Sequence, residues 1–146
     1  MDSMKIGDKI IVVAVDINSP REVVRRAAEV AEHIDAYVIL VTVIDIPRIA
    51  GAEVSPLSTD MHEKRISEYH KSLIQEYFSG MPNILVESKI LYGDPANEIC
   101  KLAEDINADM VVIGSRDSKI ESMLLGSVSE KVLKRCKCSV LMVKIR

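Results

Sequence analysis

The sequence predicts an open α/β fold: one domain of 146 residues built on a parallel sheet with helices on both faces. Short apolar, β-branched runs alternate with longer stretches of helical period, which is the signature of βαβ units. Two of those runs are apolar throughout, as strands covered on both faces must be. No repeat, linker or low-complexity tract interrupts the alternation, so residues 1–146 are expected to fold as a single unit.

Five strands are predicted in order. The first is Ile10-Ile11-Val12-Val13-Ala14-Val15 and the second spans 37–44; their continuous apolar character puts both in the sheet interior. The third, 84–92, mixes Glu87 and Lys89 among apolar neighbours and reads as an edge. The fourth, 109–113, is again apolar. The fifth, 139–145, ends the chain with nothing after it to cover an exposed edge, so it is expected to pair with a second subunit.

Four helices fill the gaps. Val23, Ala27, Val30, Ala31 and Ile34 make the first stripe, with Pro20 near its start, where a missing N–H costs little. Ile66, Tyr69, Leu73 and Tyr77 make the second. Ile99, Leu102, Ala103 and Ile106 follow Asp94-Pro95, and Val128, Val132 and Cys136 form the last stripe. Residues 47–59 have no clear period and are expected to form a loop.

Composition narrows the function. A net charge of −3 gives no basic footprint for nucleic acid. Residues 1–10 carry Asp2 and Asp8 and no apolar leader, and no apolar run approaches the ~18 residues of a membrane span. A cytoplasmic protein is expected, with neither nucleic acid nor membrane as partner. Cys100, Cys136 and Cys138 contain no C-x-x-C and are read as core packing. His33, His62 and His70 lie in polar stretches without metal-ligand spacing and are read as surface residues, so no metal site is expected.

Ligands of open parallel sheets bind beyond the carboxyl ends of the strands, where strand order reverses. Those ends read Ala14-Val15-Asp16, Val43-Ile44-Asp45, Tyr92-Gly93-Asp94 and Ile113-Gly114-Ser115-Arg116-Asp117. Gly114 allows close backbone approach, and Gly126-Ser127 precedes a helix whose first N–H groups suit an anion. Each residue also has a plainer reading. Ser127-Val128-Ser129-Glu130 fits a capping box, Asp16 suits a turn, and Arg116 and Lys119 are either phosphate partners or solvated loop charges. No nucleophile stands with a base, so an efficient enzyme is not expected.

Together, Val13-Ala14-Val15-Asp16, Val41-Thr42-Val43-Ile44-Asp45, Gly93-Asp94-Pro95-Ala96, Val111-Val112-Ile113-Gly114-Ser115 and Leu124-Leu125-Gly126-Ser127-Val128-Ser129-Glu130 resemble the universal stress protein family. The resemblance covers essentially the whole chain. It implies a five-stranded parallel sheet of order 3-2-1-4-5, like that of adenine-nucleotide alpha hydrolases, in a homodimer joined through 139–145. It further implies a stress-response regulator that binds ATP or AMP and acts on a protein partner the sequence does not name, with at most slow, incidental ATP hydrolysis. Asp16, the backbone at Val43, and Gly114 stand where the resemblance places base and ribose. The full nucleotide-binding set it implies is Ala14, Val15, Asp16, Val43, Ile113, Gly114, Arg116, Gly126, Ser127, Val128 and Ser129.

The family's ATP-binding branch has G-x-x-G followed at a fixed interval by G and S or T. Gly114 and Gly126-Ser127 match the ends, but Asp117 replaces the middle glycine and the interval is one residue short. A carboxylate there repels a triphosphate unless a divalent ion such as Mg2+ bridges the two. The alternative implied is a dimeric interaction protein whose phosphate loop has decayed.

Overall fold

The structure, a computed structural model, describes residues 9–17, 19, 21–45, 56–116 and 127–145, with the backbone alone described at 56–59, 116 and 145. Among the described residues nine elements alternate: β1 Lys9–Ala14, α1 Glu22–Ile34, β2 Ala36–Ile44, α2 Pro56–Phe78, β3 Val86–Tyr92, α3 Pro95–Asp105, β4 Met110–Arg116, α4 Ser127–Arg135 and β5 Ser139–Ile145. All strand pairs are parallel and the order is β3-β2-β1-β4-β5, as predicted, with β3 and β5 at the edges.

Strand alternation divides the core into two layers. Ile11, Val13, Val15, Val38 and Leu40 face α1 and α2, where Val23, Val24, Ala27, Ala31 and Leu73 meet them. Ile10, Val12, Ala14, Ile39, Val41, Val111 and Ile113 face α3 and α4, where Ile99, Leu102, Ala103 and Val132 meet them. A central strand buried on both sides must be apolar at every position, which is why β1 and β2 read as unbroken runs. At the amino end of the sheet β1 and β4 are stitched together: the Ile10 amide donates to Asp109 Oδ2 at 2.8 Å and the Asp109 amide donates to the Ile10 carbonyl at 2.9 Å.

Several expectations are corrected. Ile34 is 39% exposed, because the chain leaves the helix there through Asp35 in the left-handed region (φ 56°), and Val24 and Ala28 take its place in the buried stripe. Residues 56–59, expected in the loop, are helical; Pro56 fits a first turn because its absent N–H has no partner to lose there. The predicted loop's remainder at 47–55 and Pro20 lie outside the described residues. The fourth strand runs on to Arg116, since Gly114, Ser115 and Arg116 continue the pairing with Val143, Lys144 and Ile145.

Two larger corrections concern polar and sulfur side chains. His70 is fully buried, because it falls on the same helical face as Ile66 and Leu73 despite its polar sequence neighbours. Cys100 and Cys136 are disulfide-bonded rather than merely packed, with Cα atoms 4.8 Å apart, because the fold brings α3 beside the end of α4; Cys138 is free.

Candidate functional site

Strand order reverses between β1 and β4, and the two strands stop pairing after Val13 and Val112. Continuing that register places Ala14 and Val15 level with Ile113 and Gly114, so the chain opens at the predicted position. Val15 is anchored on one side only: its amide donates to the Val41 carbonyl at 2.9 Å. Beyond it the backbone turns, with the Asp16 amide donating to Ser19 Oγ at 2.9 Å and the Ser19 amide donating to the Asp16 carbonyl at 3.0 Å. That turn leaves the Asp16 residue exposed at the mouth of the opening.

Val43 lies one strand away, half-buried against the α3 and α4 layer, beside Leu91 of β3. The start of α4 lies on that layer too: Val128 packs against the cluster that holds Ala14 and Ile113, Ser129 is 4% exposed, and Ser127 is exposed. Glu130, the far half of the predicted capping box, reaches forward to Lys134 Nζ at 3.2 Å. The structure thus gathers Ala14, Val15, Asp16, Ile113 and Gly114 at one opening, with Val43 and the first turn of α4 flanking it. Gly126, Asp117 and Lys119 lie outside the described residues, as does the Arg116 side chain. Asp94, at another strand end, serves the fold: its Oδ2 accepts the Asn97 amide at 3.1 Å and caps α3, with Pro95 at the first position.

Behind the opening lies a hydrogen-bonded chain, buried at Thr42 and His70 and ending at the exposed Ser88, that the sequence reading missed. Thr42 Oγ1 donates to the Val15 carbonyl at 2.6 Å, so its only proton is spent. His70 Nε2, 2.8 Å from that oxygen, must therefore donate to it. His70 Nδ1 is then the acceptor, and Ser88 Oγ donates to it at 2.6 Å. The geometry fixes one neutral tautomer, and burial pushes the imidazole down to about 4 from 6.5. This chain ties α2, β3 and β2 to the residue just before Asp16. A signal for it existed: 66, 70, 73 and 77 form a stripe at spacings of four and three.

Among the described residues no cluster of His, Cys, Asp and Glu is arranged to hold a metal ion, and no helix is long and apolar enough to cross a membrane.

The chain matches the universal stress protein family over residues 8–144. A universal stress protein of Methanocaldococcus jannaschii is 32% identical over 143 residues, covering 93% of this chain and 81% of that protein. Among solved structures, a universal stress protein from Archaeoglobus fulgidus superposes with a TM-score of 0.73 at 26% identity, covering 93% of this chain and 98% of that one. An Archaeoglobus fulgidus universal stress protein in complex with dAMP gives 0.68 at 25% identity, with 93% and 98% covered. Sheet order, switch-point geometry and these likenesses agree: the chain belongs to the universal stress protein family.

Proposed function

We propose that this chain is an adenine-nucleotide-binding regulatory protein of the stress response, with the nucleotide held where β1 and β4 part. The observation that carries this reading is the opening after Val13 and Val112, with Asp16 exposed at its mouth and the first turn of α4 beside it. The dAMP complex of the Archaeoglobus fulgidus relative supports the choice of nucleotide. In this reading Asp16 and the backbone at Val43 take ribose and base. Gly114, Arg116, Gly126, Ser127, Val128 and Ser129 surround the phosphates, where N–H groups at a helix start favour an anion. Ala14, Val15 and Ile113 form the floor.

The protein works as a cytoplasmic homodimer through the edge strand β5, and any ATP hydrolysis is incidental. The nucleotide's presence alters a surface read by a protein partner. Asp117 makes the shorter phosphate chain of AMP the better fit, and ATP requires Mg2+ to bridge its phosphates to that carboxylate.

Calorimetric titration of nucleotide-stripped protein with AMP, ADP and ATP, each with and without Mg2+, tests the reading. Saturable binding is expected, strongest for AMP without Mg2+, and Asp16→Ala should weaken it about tenfold, the loss of one hydrogen bond to a charged group. The replacement of Gly114-x-x-Gly by Gly114-Ser115-Arg116-Asp117 favours a second reading, a dimeric interaction protein that binds no nucleotide. Absence of binding to all three nucleotides would select it.

A further inference from the structure

The function proposed above uses none of the three cysteines, yet the fold gathers them. Cys100 on α3 is bonded to Cys136, which directly follows the last residue of α4, across 36 positions of sequence. Cys100 and the free Cys138 both line a cavity of about 250 Å³, whose polar wall is Asn107 and an ion pair of Lys137 Nζ with Glu104 Oε2 at 2.9 Å. Cys100 of the bridge thus borders a space that a small molecule can enter, beside a cation and an anion suited to the zwitterionic ends of an amino-acid thiol. The helices do not depend on the bridge to stay folded: Ile99, Leu102, Ala103 and Val132 are each at most 8% exposed in the same apolar layer. A covalent link between elements already packed can open and close without loss of the fold.

We propose that Cys100–Cys136 is a reversible thiol–disulfide switch, exchanged with low-molecular-weight thiols through the cavity beside Cys100, that sets how firmly α4 is held. An external thiolate attacks Cys100 Sγ, the bond to Cys136 breaks, and Cys136 leaves as a thiolate that takes a proton from water. A second external thiolate attacks the outer sulfur of the mixed disulfide and releases Cys100. The sum is one protein disulfide and two small thiols going to two protein thiols and one small disulfide, a two-electron exchange. Cys138 stays a spectator, since burial pushes its thiol up and keeps it protonated. The regulatory consequence rests on the nucleotide reading: the bridge fastens one end of α4, and Ser127, roughly 13 Å away along the helix, begins the other. Reduction leaves α4 packed through Val132 but frees its last turn from α3, and the nucleotide site loosens with it.

The test uses the full chain equilibrated in glutathione buffers of graded oxidised-to-reduced ratio, quenched in acid, alkylated and weighed. One reactive thiol should become three across the series. Cys138→Ser should keep the transition, while Cys100→Ala and Cys136→Ala should each lose it. One thiol at every ratio would mean a permanent staple and three would mean no bridge; either overturns the switch. Hydrogen exchange over 133–136 should be at least about tenfold faster in the reduced form, since the freed last turn opens more often; equal rates overturn the hold on α4. AMP should bind about threefold more weakly to the reduced form. If neither form binds AMP while exchange still differs, the switch stands and the nucleotide reading falls.

Discussion

The face of the sheet covered by α1 and α2 and the face covered by α3 and α4 bury similar aliphatic side chains, but they are fastened differently. Under α2 the fastening is a hydrogen-bonded chain, from the exposed Ser88 through the buried His70 and Thr42 to Val15, whose integrity depends on a proton staying away from His70. Under α3 it is a bond between two sulfurs, whose integrity depends on electrons. The two layers share β1 and β4, but the first fastening reaches the opening directly, through Val15, whereas the second lies at the end of α4 away from Ser127. One domain thereby carries two chemically independent sensitivities, and each can be broken without touching the other.

The largest effect should come from the apolar layer that α1 and α2 cover. Leu40 is fully buried at the centre of β2, so Leu40→Ala should cost about 3–4 kcal/mol in denaturant-derived stability. A loss under 1 kcal/mol would mean that the layer can collapse around the cavity.

Acid sensitivity comes next and belongs to this face alone. Because the native imidazole protonates near 4 and the unfolded one near 6.5, the unfolded state takes up a proton that the native state refuses between those values. Stability from this group is complete above about pH 6.5 and falls as pH drops towards 4, by roughly 3 kcal/mol in total. His70→Leu keeps the Thr42–Val15 bond and leaves the exposed Ser88 to water, so its stability at pH 7 should lie within about 1 kcal/mol of the native protein, and it should decline less between pH 6.5 and 4. Parallel pH profiles for the two proteins would remove His70 as the cause. Reducing the disulfide should leave the difference between the profiles unchanged.

Smaller effects lie on the α3 and α4 face. Asp94→Ala removes the side-chain cap of α3 and should cost about 1 kcal/mol in chemical unfolding, with Asp94→Asn recovering most of it. Lys134→Ala breaks an exposed pair with Glu130 within one helix and should change stability by less than about 0.5 kcal/mol.

The interior strands and the edges were legible because burial on two sides leaves a plain mark, unbroken apolar runs at 10–15 and 37–44 against the charged Glu87 and Lys89 of β3, while the strand order came from the resemblance to the family. The strand ends were legible from the element order, but which of them border the reversal followed only from the strand order that the resemblance implied. Residues placed by residue-type habit were misread. His70 sits in the helical stripe of Ile66 and Leu73, but a polar residue in a polar stretch argued for the surface, and the partners that satisfy it, Thr42 and Ser88, are supplied by two distant strands. The bridge between Cys100 and Cys136 had no local signal, because only the packing of α3 on α4 brings positions 36 apart into contact. Asp117 and Gly126, on which the choice between nucleotides turns, lie outside the described residues.

The stitch between Ile10 and Asp109 has a mechanical meaning. A carboxylate and a carbonyl hold both strands at the amino margin, while no pairing joins them past Val13 and Val112. The two strands are thus held together from Ile10 through Val13 and unpaired beyond, so any play between them is confined to the margin where Asp16 and Gly114 stand.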